Sequence, residues 1–438
     1  MSDDGRASLQ LREPQDGDYT EPLPIPTDHA VCRARTRGPT GHGHRWQLGL
    51  GCARRTLNEA RTIAVLTTGR QDFGILRSTL LLLREYPVLH PVLWVGGMHL
   101  QERFGHSVDL IRQDGFEVAR ELPFVAEPPH PTCDAARALE QVAAALQEDQ
   151  CDALLLVGDR LETLAGAFAA ALAAIPIIHL HGGEESEGAI DNAMRHAITK
   201  LSHLHLVSHE VHARRVRQMG EDPSTVVVVG APGLDNLYRT DLPTRQVLER
   251  ELCCSIRPPI VVVTLHPATL GGDPESEVAA VAAAMEAVPA LYIVTQPNAD
   301  AGGAVIRDYW RQWARGRKNV VLADVLGEDR YWALLRLASA VLGNSSSGVI
   351  EASAARVPSI NVGDRQRGRL RGTGVSDVPA DCAAIATALH EAIQLAVEGK
   401  TAGIHTPYLS GPAAPRIVEA IANWHPSRPP RKRFQEVM

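Results

Sequence analysis

The sequence has no CxxC pair, no GxxxxGK[ST] phosphate loop, and no GxGxxG after its first β-branched run. Without the last two, neither ATP nor NAD is expected as a cofactor. The seven cysteines are odd in number and scattered, which fits reduced thiols better than a disulfide frame. The longest apolar run, Leu164 to Ile178, is Ala- and Gly-rich and contains Pro176. It falls short of the roughly 20 residues that span a bilayer and reads as a buried helix running into a buried strand. Positive charge is not in excess either: the formal net charge is −7, so no nucleic-acid-binding face is expected. A few arginines and backbone amides still suffice to bind a diphosphate. No charged-then-apolar leader is evident, which makes a cytoplasmic protein the expectation.

The 438 residues, 45% hydrophobic and 22% charged, suit a globular protein of two domains. Residues 1–58 are rich in Pro, Gly, Asp, Arg and Thr without periodicity. They are expected to form a disordered extension, with a docking arm as the alternative. From Thr62, β-branched runs alternate with stretches of helical period, the pattern of βαβ units on a parallel sheet. Strands are expected at Ile63–Thr67, Pro91–Val95, Ala153–Val157, Ile177–Leu180, Leu204–Val207 and Val226–Val229. After a Pro-rich break they resume at Ile260–Leu265, Leu291–Thr295, Val320–Leu322, Ala340–Leu342 and Ser359–Val362. The fold class is α/β, with two Rossmann-like doubly wound domains at 59–235 and 259–425. A linker at 236–258 joins them, and a basic tail, 426–438, reads as solvated. The final helix, Pro415–Trp424, is amphipathic and free to cross back onto the first half.

Polar residues cluster after the strands, where open parallel sheets bind ligands. The first half carries Arg70 and Asp72, His99, Asp159 and Arg160, then His181 and Glu184. The second carries His266, Asn298 and Asp300, Ser345 and Ser346, and Arg365. Any one cluster is compatible with a cap or turn. Together they are expected to face one another across a cleft of the GT-B type. The pairs His179-x-His181 and His203-x-His205 invite a metal reading. Alternate strand residues point to opposite faces, however, so structural histidines are the default and no metal is expected.

The stretches "TTGRQDFGIL", "GMHLQERFG", "GDRLETLA", "GGEESEGAIDNAMRHAITKLSHLH", "LHPAT", "QPNADAGG" and "GNSSSGVIEASAARVPSINVGDRQRGR" resemble the hydrolysing UDP-N-acetylglucosamine 2-epimerases. The likeness runs from about residue 60 to residue 425, in order. It implies a nucleotide-sugar substrate, no cofactor and a homodimer. In that family the C2 proton is removed as the nucleoside diphosphate leaves C1, which gives a glycal-type intermediate. Water then adds to C1 and a proton returns to the other face of C2.

By the same resemblance, Asp159, Asp191 and His266 match catalytic positions, and Ser345 and Ser346 meet the diphosphate at a helix opening near Gly348. Glu351 takes the ribose hydroxyls, while Arg365 and Arg70 approach the nucleotide from opposite halves. Paired carboxylates in one cleft shift each other's pKa, which suits Asp159 and Asp191 as base and acid. Asp191 and Arg195 are spaced i, i+4, so a helix-surface ion pair is the alternative. His266 alone would read as a packed core residue. Arg367 and Arg369 extend the Arg365 loop, for which a solvated charged loop is the alternative. One departure stands out: His181 occupies a place where many members of the family carry Glu, and Asn192 stands where some have a second Asp. A histidine still exchanges protons near neutrality. Competing readings are a non-hydrolysing epimerase, a GT-B glycosyltransferase, a sugar-nucleotide sensor, and elimination or hydrolysis on an unusual nucleotide sugar.

Overall fold

A computed structural model describes residues 60–436, apart from residues 128, 269, 298, 299, 301, 324, 325, 409 and 410. The expected extension at 1–58 lies outside the described residues. The first sheet contains β1 (Arg61–Thr67), β2 (Leu89–Gly96), β3 (Arg120–Leu122), β4 (Ala153–Val157), β5 (Ile177–Leu180), β6 (Leu204–Val207) and β7 (Val226–Val228). The second contains β8 (Ile260–Thr264), β9 (Leu291–Thr295), β10 (Val320–Ala323), β11 (Ala340–Gly343), β12 (Ser359–Val362) and β13 (Val375–Val378). The strand orders are β3-β2-β1-β4-β5-β6-β7 and β10-β9-β8-β11-β12-β13, all parallel. Each order reverses beside its first strand, at β1/β4 and at β8/β11, and these switch points are where ligands enter doubly wound folds.

Why these runs make central strands is visible in β1 and β8. In β1, Ile63 and Val65 join one apolar cluster while Ala64 and Leu66 join the cluster on the opposite face. In β8, Val261 and Val263 divide from Ile260 and Val262 in the same way. A strand buried on both faces needs a continuous apolar run, which is what these segments have. At the second switch point, Gly343 (φ 135°) passes so close to β8 that a Cβ there would sit 1.9 Å from the Thr264 carbonyl oxygen. Only glycine lets β11 leave the sheet at that point.

Two edge strands, β3 and β13, were not expected from the sequence; both are short and interrupted by polar residues. The expected linker contains a helix, Arg245–Glu251, whose Leu248 is fully buried in a cluster of the second half. The last helix, Ala414–Asn423, does cross back: Ile417, Val418 and Ile421 share a cluster with Ile63 and Val65. Asp235 caps it, accepting from the Ala413 and Ala414 amides at 2.7 and 2.8 Å. The basic tail is not simply solvated. Lys432 Nζ donates to the Lys200 carbonyl at 2.7 Å and pairs with Glu221 at 2.6 Å, and Arg428 pairs with Asp152. The Leu164–Ile178 run forms part of a helix, Leu161–Leu172, and the start of β5, although Phe168 and Leu172 on that helix are exposed. Among the described residues, no helix is long and apolar enough to cross a membrane.

Candidate active site

The ends of both sheets open onto two adjoining cavities that share Gln71, Ile75, Gly233, Ser346 and Glu351 as walls. The first-half wall carries Asp159, Arg160, His181, Glu184, Asp191 and Arg195. The second-half wall carries His266, Asp300, Ser345, Ser346, Glu351 and Arg365, and Arg70 faces it across the gap.

In the first half, Asp159 stands two residues beyond β4, and the fully buried Arg195 donates Nη2 to its carboxylate. Arg195 also reaches Ser186 Oγ at 3.0 Å, Asn192 Oδ1 at 3.0 Å and the Glu184 carbonyl at 2.9 Å. It is therefore committed to Asp159 rather than to an ion pair along the helix with Asp191. Burial pushes the Asp159 carboxyl up, but Arg195 and Arg369 outweigh it and hold the group below its ordinary value. Asp191, in the first turn of the helix Asp191–Leu201, goes the other way. Burial, then Asp159 and Asp300, push it up to about 6 against the pull of Arg365 and Arg160. Two neighbouring carboxyls driven apart in this way can serve as proton acceptor and proton donor.

His181 follows β5 in a left-handed conformation (φ 63°) that turns its ring toward Glu184. Its Nδ1 lies 2.7 Å from Glu184 Oε1. Glu184, 2% exposed, also accepts from Ser208 Oγ and from Arg369 Nη1, each at 2.7 Å. Burial opposes its charge, but His181 and Arg369 keep it well below the usual carboxylate range. With Glu184 ionised, the proton in the shared bond belongs to His181 Nδ1. Nε2 is left without a protein partner among the described residues and is the ring atom able to exchange a proton with the cleft.

The second half is built on Asn344. Its side chain accepts from the His266 amide at 2.7 Å and donates to the His266 carbonyl at 2.8 Å, tying the ends of β8 and β11 together. Its carbonyl accepts from Arg365 Nη1 at 3.2 Å and Gln366 Nε2 at 2.9 Å. The helical turn Ser346–Val349 begins at Ser346, not at Gly348, and Ser345 Oγ caps it through the Ser347 amide at 3.3 Å. Asp300 lies 4.0 Å from Arg365 Nη2. Glu351 is pushed up by burial, and its Oε2 has no partner among the described residues. Burial, with Arg365 and Arg160, keeps the His266 ring far below its ordinary value, hence neutral.

Three expected residues fall elsewhere. His99 is fully buried and lines neither cavity; its ring bridges Thr67 Oγ1 at 2.9 Å and Ser107 Oγ at 2.8 Å, so it is a core histidine. Asp72 borders the cleft, but its carboxylate clamps the turn after β1, accepting from the Thr68 amide at 3.1 Å and hydroxyl at 2.7 Å. Asn298 lies outside the described residues. The other paired histidines are structural: His179 Nε2 bonds the Gly158 carbonyl at 2.8 Å, and His205 Nε2 bonds Glu221 at 3.0 Å. Sequence reasoning assigned no role to Ser208, Tyr331 or Gln366, and it did not separate Arg369 from Arg367. Arg367 is 67% exposed, whereas Arg369 is 9% exposed and joins the first-half wall.

Two parallel doubly wound sheets facing one cleft define the GT-B class of fold. A solved Neisseria meningitidis UDP-GlcNAc 2-epimerase bound to UDP-GlcNAc shares it, with a TM-score of 0.68 over 82% of this chain and 99% of that one at 16% identity. The UDP-N-acetylglucosamine 2-epimerase family matches residues 82–422, and the chain belongs to it. It is 34% identical over 333 residues to the polysialic acid biosynthesis protein P7 of Escherichia coli, covering 74% of this chain and 84% of that one. It is 35% identical over 337 residues to a hydrolysing UDP-N,N'-diacetylbacillosamine 2-epimerase of Legionella pneumophila, covering 76% and 89%.

Proposed function

We propose that the chain is a hydrolysing 2-epimerase of a UDP- or GDP-linked N-acetylhexosamine, releasing the free 2-epimer and the nucleoside diphosphate. The hydrolysing relatives in Legionella pneumophila and, at 30% identity, in Campylobacter jejuni favour this over a non-hydrolysing epimerase. They also favour a diacetamido sugar as a substrate to test. The observation that carries the reading is the division of the cleft: proton-transfer groups stand on one wall, and hydroxyls, an arginine and an open carboxylate stand on the other.

The nucleotide lies along the second half, with Ser345, Ser346 and Arg365 toward the diphosphate and Glu351 toward the ribose. Arg70 and Arg160 add charge from the first half, where negative charge grows on the leaving group. Ionised Asp159 takes the C2 proton as the C1–O bond to the diphosphate breaks, leaving a double bond between C1 and C2. Water then delivers hydroxide to C1, and a proton is returned to the opposite face of C2. Asp191 and His181 are the proton carriers for that second stage, and positioned groups of this kind contribute about 10²–10⁴-fold each. The domains run from 59 to 235 and from 259 to 425. A homodimer and a cytoplasmic location belong to the same proposal.

Incubation with UDP-GlcNAc, its diacetamido analogues and their GDP counterparts in heavy water, followed by proton NMR, tests the reading. Deuterium at C2 of a free 2-epimer is the expected result. Sugar release without exchange at C2 would make the protein a simple hydrolase.

A further inference from the structure

One cation of the second half sits in the proton-transfer wall of the first. Arg369 follows β12 in the loop that also supplies Arg365 and Gln366 to Asn344. Its Nη1 crosses the cleft to Glu184 Oε2 at 2.7 Å. The opposite oxygen of that carboxylate holds His181 Nδ1 at 2.7 Å. The two loops that carry these groups touch along their backbones. The Glu187 amide donates to the Arg367 carbonyl at 3.0 Å, and a Cβ on Gly188 would lie 2.7 Å from the Asp364 carbonyl oxygen. The bond from Arg369 to Glu184 therefore exists only while the halves are closed on each other.

We propose that Arg369 is a positioning residue: by closing onto Glu184 from the nucleotide-binding half, it fixes the His181 ring for proton exchange at C2 only when the cleft is shut. This rests on the function proposed above and adds a coupling between nucleotide engagement and chemistry. Glu184 is buried, and a buried carboxylate stays ionised only while cations and donors surround it. Its other ring neighbours belong to the first half and are present whether the cleft is open or shut: the His181 imidazole, and the His212 imidazole with Nδ1 4.0 Å away. Ser208 contributes a neutral hydroxyl. Arg369 is the contribution that arrives with closure. A carboxylate anchoring an imidazole through Nδ1–H leaves Nε2 as the working atom, and a loss of that anchor lets the ring change tautomer. The same guanidinium helps to hold Asp159 ionised, so both proton-transfer centres of the first half depend on its arrival.

The test compares the wild type with Arg369→Ala and Arg369→Lys on three readouts. Arg369→Ala is expected to lower kcat for C2 exchange on the order of 10²-fold, the cost of a misplaced catalytic group. The Kd for UDP or GDP should change less than about threefold, because the phosphate groups keep Ser345, Ser346 and Arg365. Added guanidinium should recover at least about a tenth of the lost rate, and Arg369→Lys, with charge but no fork, should fall between the two. Ring nitrogen-15 NMR of His181, with nucleoside diphosphate bound, reads the coupling without turnover: the Nδ1–H tautomer should dominate in the wild type and lose that dominance in Arg369→Ala. An unchanged tautomer, or a loss of nucleotide affinity equal to the loss of rate, would overturn the proposal. A wild type that exchanges no C2 proton on any nucleotide sugar would remove the proposed function instead, while the tautomer measurement would still decide what Arg369 does.

Discussion

Two glutamates on opposite walls of the cleft, Glu184 buried and Glu351 half-buried, stand in opposite states. Glu184 accepts from His181, Ser208 and Arg369 and is held well below its ordinary pKa. Glu351 keeps an oxygen with no partner among the described residues, and burial pushes it up. A carboxylate whose lone pairs are filled by protein donors is a fixed structural charge, whereas one left open is waiting for donors that arrive with a ligand. The contrast extends to the walls around them. The first half meets its substrate with a carboxylate already filled by protein donors, leaving His181 Nε2 as its open atom; the second offers hydroxyls and a carboxylate oxygen left for the ligand.

The sharpest way to break this comparison is at Asp159. Asp159→Asn keeps the shape and a hydrogen-bond acceptor for Arg195 but removes the ionised base. C2 exchange in heavy water should fall by about 10³-fold while UDP affinity, read by calorimetry, changes little. A loss of binding that matches the loss of rate would show that the first wall grips the ligand as much as it transforms it.

Asp191 comes next because its charge is disfavoured in the folded protein. Its pKa is raised to about 6, so the stability that its protonated form contributes is complete below the ordinary carboxylate value and lost as pH rises through about 6. Asp191→Asn should therefore leave stability near pH 4 almost unchanged and raise it at pH 8 by roughly 1–3 kcal/mol, seen as a higher Tm. Its kcat should fall by about 10²-fold. A variant less stable at pH 8 than the wild type would mean that Asp191 is favourably paired when ionised.

Glu351 tests the other wall. Glu351→Gln keeps one acceptor and places an amide donor against ribose hydroxyls that need acceptors. Affinity for UDP or GDP should drop by about tenfold, with kcat at saturating substrate nearly unchanged. A fall in kcat with affinity intact would place Glu351 in the chemistry rather than in nucleotide binding.

The two walls also differed in how much the sequence disclosed. Central strands such as β1 and β8 were legible because burial on both faces demands unbroken apolar runs, and the polar clusters after them then followed from topology. The edge strands β3 and β13 were not: "REL" and "VSDV" carry charges on faces that water still reaches. Within the site, local sequence could not separate His99 from His181, since each follows a strand. What distinguishes them is whether both ring nitrogens find core hydroxyls, as in His99, or one is left toward the cleft. Nor could it separate Arg367 from Arg369. Turns closed by the Arg367 and Arg369 amides, onto the carbonyls of Asp364 and Gln366, send the two side chains in different directions.

The smallest effect should come from Ser208, and it measures how redundant the satisfied wall is. The Ser208 hydroxyl gives its proton to Glu184 Oε1, and its own oxygen accepts from His212 Nδ1 at 2.8 Å. Burial lowers the His212 pKa to about 4, so that ring is neutral and can supply the one proton the bond needs. Ser208→Ala removes a donor from Glu184 and strands the His212 N–H, which should lower stability by about 1–3 kcal/mol in thermal denaturation. His181 and Arg369 still hold the carboxylate, so kcat should fall only about two- to fivefold, far less than for Arg369→Ala. If the two variants lost activity equally, any one donor would be as necessary as the others, and the special weight given to the bond that crosses the cleft would be misplaced.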